Sequence, residues 1–239
     1  MPPQTTSRRD RLRQATLGEI HEAVRTLLTT KGSAAVTINA VAREVGMTGP
    51  ALYHYFAGHD ELVGATAAGF CRELTESMLA ARDAHAADAH ARRLLATCRA
   101  MRDWAVAHPA EFGWIFASPL APPNRQPESA RQAAGQRFEQ VFLDQVSDVW
   151  QARPFPVPEL AGLDPSLREQ LAAYSDSLER RLPLEAAHVF LSWWIRLYGL
   201  LCMEVLNQLD FAFSDLRPVF EECLREMCAA LGLDYEPAG

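Results

Sequence analysis

The segment TINAVAREVGMTGPALYHYF, residues 37–56, decides the fold that we expect of this chain. Its first eight residues carry apolar side chains at helical spacing, and Gly46 then interrupts the pattern. Thr48 is a candidate N-cap, because its hydroxyl can accept a hydrogen bond from a free backbone N–H of the following turn. Pro50 suits that turn, since the first residues of a helix need no N–H donor. A second short helix is predicted over residues 51–56. The segment therefore predicts a helix-turn-helix, the motif that places its second helix in the major groove of DNA.

A longer helix is predicted ahead of this segment. Apolar residues recur at helical spacing from Leu12, and Lys31 and Gly32 end the pattern with a cation and then a glycine. We expect its apolar face to pack on the helix-turn-helix and to complete a three-helix DNA-binding domain over residues 1–58. The face consists of Ile20, Val24, Leu27 and Leu28, and its predicted partners are Ile38, Val41, Val45, Leu52 and Phe56.

Charge divides the chain into a basic head and an acidic body. Residues 1–56 hold seven basic and four acidic residues, whereas the remainder holds 16 basic and 26 acidic ones. A net charge of +3 on the head and −10 on the body is typical of a modular DNA-binding protein. Four arginines of the head have two interpretations: an arm that reaches phosphates or the minor groove, or the solvated start of the first helix. They are Arg8, Arg9, Arg11 and Arg13.

The head resembles the DNA-binding end of tetracycline-repressor-type (TetR) transcription regulators. The resemblance is carried by Thr37, Val41-Ala42, Gly46-Met47-Thr48, Leu52-Tyr53-x-Tyr55-Phe56 and Asp60-Glu61-Leu62. It implies a homodimer whose two heads enter successive major grooves, about 34–36 Å apart or a little more, and read a palindromic double-stranded operator. One position departs from the family pattern, because His59 stands where a lysine usually contacts a phosphate.

The predicted DNA contacts divide into positioning and reading residues. Phosphate contacts from Thr37, Thr48 and Tyr53, with His59 as a further candidate, would set the register. Ala51 and His54 would face base edges, where a methyl group can meet a thymine methyl and an imidazole can hydrogen-bond a purine. The complete predicted set is Thr37, Arg43, Thr48, Gly49, Ala51, Tyr53, His54, Tyr55 and His59.

The remainder, residues 59–239, is predicted to be an all-helical effector-binding and dimerisation domain. Apolar periodicity predicts a long first helix from His59 to about residue 86, which leaves the head and enters the body. Further helices are predicted over residues 91–107, 109–117, 128–152, 164–178, 183–209 and 214–231. Proline-rich loops are predicted over residues 118–127 and 153–163. The predicted fold class is all-α.

A second resemblance lies near the C-terminus. Trp194, Tyr198-Gly199 and Glu204 are similar to a pattern of Trp, His-Gly and a later Glu in a large subgroup of the same family, with Tyr198 in place of the His. The resemblance implies that the last two helices pack between subunits and that a small molecule binds within the body. The predicted subunit seam is Leu200, Leu201, Val205, Phe220, Leu224, Met227 and Leu231. The predicted ligand-contacting residues are Trp104, Phe112, Trp114, Phe138, Tyr174, Trp194, Arg196 and Tyr198.

Arg196 has two interpretations of its own. A guanidinium in an apolar helix can bind a ligand carboxylate with two parallel hydrogen bonds. It can equally pair with a neighbouring acid at the edge of the dimer. The sequence leaves both open.

Motifs of catalysis and metal binding are not found in the sequence. The body has no phosphate-cradling glycine loop, no GxSxG, no HExxH and no Cys/His cluster, so neither an enzyme nor a cofactor is expected. His85 and His90 are five residues apart, on different faces of any continuous helix, so we interpret residues 83–90 as an interhelical turn and expect no metal. The apolar run 189–206 contains Arg196 and Glu204, which are costly in lipid, so we interpret it as a buried helix and expect no membrane.

The five cysteines indicate a compartment. Their number is odd and no pair has CxxC spacing, which favours a reducing cytoplasm over a disulfide framework. A redox switch between Cys223 and Cys228 is an open alternative to ordinary buried thiols.

These patterns predict a ligand-responsive transcriptional regulator, and repression relieved by a small hydrophobic or amphipathic effector is the expected polarity. Ligand in the body would tilt the helix that begins at His59 and change the spacing of the two heads. Two alternatives stay open. One is an effector-independent helical DNA-binding or interaction protein, and the other is an enzyme with a fused head.

Overall fold

The computed structural model describes residues 7–116, 129–179 and 181–238. Within these ranges the chain forms ten α-helices and no strands, which confirms the predicted all-α class. The helices are α1 (Arg8–Lys31), α2 (Ile38–Glu44), α3 (Gly49–Leu52), α4 (His59–Asp83), α5 (His90–Ala107), α6 (Pro109–Phe116), α7 (Ala130–Ala152), α8 (Pro165–Ser177), α9 (Leu184–Val205) and α10 (Arg217–Ala230). The proline-rich loop predicted over residues 118–127 lies outside the described residues.

Local hydrogen bonds fix the helix-turn-helix. The Thr37 hydroxyl accepts from the Ala40 N–H and caps α2. At the other end of α2, Gly46 has a φ of +69°, and the N–H groups of Gly46 and Met47 reach back to the carbonyls of Arg43 and Ala42. This pair of bonds is a Schellman motif, which satisfies the last carbonyls of α2 and requires a left-handed residue at Gly46. The predicted turn is thus confirmed.

The contacts divide the chain into two compact units. The first comprises Met1–Arg72 with His108–Gly135, and the second comprises Glu73–Ala107 with Gln136–Gly239. Helices α4 and α7 each begin in the first unit and end in the second. The boundary predicted at residue 58 separates a DNA-binding domain from an effector-binding and dimerisation domain, and it stays a prediction.

The first unit packs α1 against the helix-turn-helix and against α6. The predicted face of α1 is buried, as are Ile38, Val41, Leu52 and Phe56, whereas Val45 is half-buried. The His21 ring lies against Gly69 of α4, where a Cβ atom would come within 2.3 Å of the ring. Arg25 of α1 approaches the buried Glu111 of α6, Nε to Oε1 3.3 Å. Helix α1 thus contacts both the helix-turn-helix and α6 within this unit.

Gln145 and Thr97 form a polar cluster in the core of the second unit. The Gln145 side-chain N–H donates to Thr97 Oγ1 at 3.1 Å and to the Val141 carbonyl at 2.9 Å. Both residues are buried, and their polar groups satisfy one another. Within this unit, α9 packs on α5, α8 and α10.

Three of the helix limits that differ from the prediction do so for local reasons. Helix α3 ends at Leu52 rather than residue 56, and residues 53–55 continue as a hydrogen-bonded turn. Helix α9 ends at Val205 rather than 209, because Asn207 adopts a φ of +53° and the next N–H closes on the Met203 carbonyl. Helix α10 begins at Arg217 rather than 214, since Leu216 is its N-cap.

Helix α9 is the one helix within the described residues that is long and apolar enough to cross a membrane, and 33% of its most apolar stretch is buried. Core helices of soluble proteins meet the same criterion, so this is weak evidence for a membrane span. The helix interpreted as buried is only partly buried in the single chain, because Ile195 and Met203 are exposed.

Candidate nucleic-acid interface

The recognition segment, defined as α3 and the turn over residues 53–56, presents polar and aromatic side chains on a buried apolar base. Leu52 and Phe56 are buried and hold the segment on the head. Tyr53 is 56% exposed and His54 is exposed, while Ala51 and Tyr55 are half-buried. The segment is therefore fixed from beneath and open to solvent above, as a surface that reads base edges requires.

A groove runs between this segment and the start of α1. It is open, has a volume of about 770 Å³, and is lined by Arg8, Arg9, Asp10, Leu12, Arg13, Thr16, Met47, Ala51, His54 and Tyr55. The Arg13 guanidinium lies over the Tyr55 ring, 5.2 Å from its centroid. The arginines belong to the α1 helix itself, whose start is fixed by a capping box between Ser7 and Asp10. The sequence patterns did not reveal that Met47 and these arginines share one groove with the recognition segment.

The two predicted threonine contacts double as helix caps. Thr37 Oγ1 and Thr48 Oγ1 accept from the N–H groups of Ala40 and Ala51, at 3.2 and 3.4 Å. A hydroxyl that accepts in this way keeps its own O–H as a donor. Both threonines are exposed, so each hydroxyl can hold a helix start and donate to a phosphate oxygen together.

His59 ties the start of α4 to the start of the helix-turn-helix. Its Nε2 donates a hydrogen bond to the Val36 carbonyl at 2.9 Å, and its Nδ1 lies 3.6 Å from an Asp60 carboxylate oxygen. The residue therefore has a structural contact beside the phosphate contact predicted for it. That phosphate contact stays a prediction.

Gly49 and Arg43 occupy different environments. A Cβ atom at Gly49 would lie 2.7 Å from the Asn39 Oδ1 atom, so the glycine permits the close approach of α2 and α3. Arg43 is exposed on α2 and lies outside the groove lining. Of the nine predicted DNA contacts, Ala51, His54 and Tyr55 line the groove and the other six are not part of its lining.

The predicted subunit seam requires correction. Leu201, Phe220, Leu224, Met227 and Leu231 are at most 5% exposed in the single chain, because α9 and α10 bury these residues against their own unit. Leu200 and Val205 are half-buried. Among the apolar residues that the single chain leaves exposed, Ile195 and Met203 lie on α9, and Leu206, Phe211 and Phe213 lie just after it.

The predicted ligand-contacting residues fall into both units. In the first, Phe112 and Trp114 are buried, and Trp114 lies 6.2 Å from Phe70 between ring centroids. In the second, Trp104 is buried and Tyr174 donates to the Glu139 carboxylate at 2.8 Å. Ligand contact by any of the seven predicted aromatic side chains, Trp194 included, stays a prediction.

An apolar cavity lies beside Trp194 in the second unit. The indole packs on Phe138 and Phe142, at 5.6 and 5.2 Å, and stacks on Tyr198 at 5.6 Å. The cavity is lined by Leu94, Phe142, Val146, Phe190, Trp193, Trp194, Leu197, Met227 and Leu231, and its volume is about 20 Å³. Burial raises the pKa of the Tyr198 hydroxyl, so this residue stays neutral and can donate a hydrogen bond where the related pattern has a histidine.

Arg196 is exposed on α9 and is not one of the residues that line this cavity. It pairs with the Glu226 carboxylate and stacks over the Trp193 ring at 4.3 Å. The structure thus favours pairing with a nearby acid, here one of the same chain, over a ligand carboxylate.

Glu204, the last residue of the C-terminal pattern, forms a buried ion pair. Arg102 of α5 donates to both of its carboxylate oxygens, at 3.0 and 2.5 Å, and lies over the Phe220 ring at 5.5 Å. The pair links α5, α9 and α10 within the second unit. Sequence patterns did not identify Arg102 as the partner, because 102 residues separate the two.

The capped helix-turn-helix, its exposed recognition segment and the adjoining arginines define a helix-turn-helix DNA-binding protein. Two family models match particular segments of the chain. Residues 20–66 match the model of bacterial regulatory proteins of the tetR family, and residues 94–227 match the tetracyclin repressor-like C-terminal domain. The second match covers more than half of the chain and includes Trp194, Tyr198 and Glu204. The chain belongs to the TetR family of transcriptional regulators.

Individual relatives agree with the family assignment. The HTH-type transcriptional regulators Rv1816 of Mycobacterium tuberculosis and Mb1846 of Mycobacterium bovis are each 33% identical over 138 residues, which is 56% of this chain. The match spans 58% of the length of those relatives. The crystal structure of the regulatory protein SCO4313 is 28% identical, with a TM-score of 0.70 over 93% of this chain and 100% of that one. BioQ bound to its double-stranded DNA operator shares the fold at 18% identity, with a TM-score of 0.50 over 89% of this chain and 98% of that one.

Proposed function

We propose that this protein is a cytoplasmic, ligand-responsive repressor that binds a palindromic operator as a homodimer and is released by a small apolar effector. The observation that carries the proposal is the exposed recognition segment, held on a buried base beside a groove with three arginines. An acidic body makes non-specific wrapping of nucleic acid unfavourable, so DNA binding is confined to the head.

The DNA step uses side chains with distinct tasks. Thr37, Thr48 and Tyr53 donate to phosphates and fix the register, while Ala51 and His54 face base edges. Loss of one base contact costs about 1–3 kcal/mol, which is about 5- to 150-fold in affinity.

The DNA step is tested on a duplex that the wild-type protein selects from random DNA. His54→Ala should weaken binding to this duplex by that factor, measured by fluorescence anisotropy. His90→Ala, in a half-buried position of the second unit, is the matched control and should bind as the wild type does. Selection of no duplex by the wild-type protein would refute the proposal itself, and full binding by a His54→Ala, Tyr53→Ala double variant would refute the recognition-segment assignment.

We propose that a second copy of the chain packs on the exposed apolar face of α9. Ile195, Gly199, Met203 and Leu206 follow one another at helical spacing, so they share one face. Ile195 is 67% exposed, and a Cβ atom at Gly199 would meet nothing within 4 Å, so a partner helix can approach closely. This face replaces the buried seam that the sequence predicts.

The dimer is tested by charge insertion. Ile195→Glu should convert the dimer to a monomer in sedimentation-velocity measurements, because an unpaired carboxylate would be buried at the seam. Val106→Glu, at a similarly exposed apolar position of α5, should leave the mass unchanged. A monomeric wild-type protein, or a dimeric Ile195→Glu protein, would count against this seam.

The proposed effector site is the cavity beside Trp194. All its lining side chains are apolar or aromatic, so an effector that enters it is uncharged at the buried end. A volume of about 20 Å³ holds at most one water molecule, whereas drug-sized ligands fill about 300 Å³ or more. Binding therefore requires that α7 and α9 move apart, and this movement is the coupling step that we propose for release from DNA.

The effector step is tested with a panel of lipophilic and acyl compounds. A compound at 100 times its dissociation constant should stabilise the protein by about 2.7 kcal/mol and lower its DNA affinity. Trp194→Leu should abolish both effects, while Trp150→Leu, which alters a tryptophan of α7 that packs on Phe155, should retain them. Turnover of a bound compound would instead indicate an enzyme.

The small volume of the cavity favours one alternative, an effector-independent helical DNA-binding or interaction protein. In that case no compound of the panel changes thermal stability or DNA affinity, although operator binding and its loss in His54→Ala persist.

A further inference from the structure

The first turns of α1 place three arginines on one face. Arg8, Arg9 and Arg13 all line the groove, together with Leu12 and Thr16. These positions lie within one side of a helix at 100° per residue, whereas Arg11 points to another side. The capping box between Ser7 and Asp10 holds the helix start, so the arginines stand on a fixed element rather than on a loose arm.

None of the three forms an ion pair within the described part of the chain. The nearest carboxylate in sequence, Asp10, accepts hydrogen bonds from the backbone and the hydroxyl of Ser7. Arg13 is oriented by the Tyr55 ring at 5.2 Å, a contact that leaves the N–H groups at the edge of its guanidinium plane available. In a protein of net charge −7, three exposed cations on one helix face are suited to a polyanion.

The opposite wall of the groove carries Ala51 and His54. These are the residues that we assign to base edges, so a duplex read by them would bring its sugar-phosphate backbone to the α1 wall. Guanidinium groups match the geometry of phosphate oxygens with two parallel hydrogen bonds.

We propose that Arg8, Arg9 and Arg13 bind the DNA backbone that flanks the base pairs read by the recognition segment. The inference rests on the proposed DNA-binding function and adds a second, sequence-independent contact to it. This contact supplies affinity and register but no base preference, because phosphates are the same at every step.

The salt dependence of binding measures this contact directly. Each neutralised phosphate contributes about −0.9 to the slope of log K against log salt. Arg9→Gln with Arg13→Gln removes two contacts per protomer, four in a dimer, so the slope should become shallower by about 3.6. The ratio of the wild-type to the variant binding constant should accordingly be about 150-fold smaller at 200 mM salt than at 50 mM salt.

Matched variants separate charge from position. Arg11→Gln removes one positive charge from the same helix outside the groove lining, and its slope should equal that of the wild-type protein. Arg9→Lys with Arg13→Lys keeps point charges and should retain most of the slope. All variants are compared on a duplex selected by the wild-type protein, after circular dichroism has confirmed an unchanged thermal midpoint.

The outcomes are distinct. A shallower slope for the glutamine pair alone, with an unchanged preference for flanking bases, supports the backbone contact. The backbone contact is overturned if the Arg9→Gln, Arg13→Gln variant has the same salt slope as the wild-type protein, or if Arg11→Gln lowers the slope equally. Either result leaves operator binding itself intact. A changed preference for flanking bases also overturns it, since it would show that these arginines read bases. Failure of the wild-type protein to select any duplex refutes the proposed function instead.

Discussion

Replacement of Glu204 by alanine isolates the buried ion pair between α5 and α9. Arg102 is 7% exposed, and the Glu204 side chain is 10% exposed. Without the carboxylate, the guanidinium keeps the Phe220 face at 5.5 Å but loses both charged hydrogen bonds. A buried charge without its partner is strongly destabilising.

The expected loss follows from this geometry. Breaking a buried pair by removal of one partner costs about 3–5 kcal/mol in the free energy of unfolding. For a chain of this size each kcal/mol lowers the melting temperature by about 2–4 °C, so Glu204→Ala should melt about 6–20 °C below the wild-type protein. The double variant Arg102→Met with Glu204→Leu should recover most of this loss, because two apolar side chains leave no unpaired charge.

Urea unfolding compares the wild-type protein, Glu204→Ala and the double variant. All are measured at one protein concentration, since dimerisation would make apparent stability depend on it. A loss of less than about 1 kcal/mol in Glu204→Ala would contradict the reasoning, because it lies well below the cost of a broken buried pair. A double variant as unstable as Glu204→Ala would also contradict the reasoning.

Three further predictions concern the turn, the C-terminal segment and the thiols. Gly46→Ala should lower the free energy of unfolding by about 1–2 kcal/mol, because Gly46 has a left-handed φ, and Gly46→Asn should lower it less. Gly18→Ala, at a position of α1 with open space around it, is the control and should be neutral or stabilising in the same urea assay. Hydrogen bonding from Arg99 lowers the pKa of Glu221, so the pair contributes stability above the unfolded carboxyl pKa of about 4.3 that is lost as pH falls through the lower folded pKa. Urea midpoints between pH 7 and pH 3 should therefore fall less steeply in Arg99→Gln, and equal slopes would contradict this account. Burial raises the pKa of the Cys228 thiol to about 11, so Cys228 should resist maleimide at pH 8 until the protein unfolds, and rapid labelling of the folded protein would reopen the redox-switch alternative.

Local chemistry is where the sequence predicted the structure best. The Thr48 cap, the Gly46 turn and the apolar face of α1 depend on residues within a few positions of one another. Capping and periodicity are short-range effects, so they can be recognised without a structure.

Long-range partners could not be predicted in the same way. Apolar periodicity identifies the buried faces of α9 and α10, but it does not tell whether the same chain or a second copy covers them. Phe220 and Leu224 were for this reason assigned to a subunit seam, although they are core residues of the second unit. The Arg102–Glu204 pair likewise depends on the packing of two helices that no local pattern specifies.

The groove shows an intermediate case. The sequence contained the arginines of α1 and the polar residues of the recognition segment, and it left open whether the former were an arm or a helix start. The structure makes them the start of α1, with Arg13 over Tyr55. The distance between the two walls of the groove follows from how α1 packs on the helix-turn-helix, which depends on buried residues such as Val24 and Val41.

Hydroxyl-radical footprinting on the selected duplex tests the central claim most directly. A dimer that inserts two recognition segments should protect two patches related by a dyad, about one helical turn apart or slightly more. Tyr53→Ala with His54→Ala should remove both patches while His90→Ala retains them. A single unpaired patch, or an unchanged footprint in the double variant, would contradict the account of this protein as a dimeric helix-turn-helix regulator.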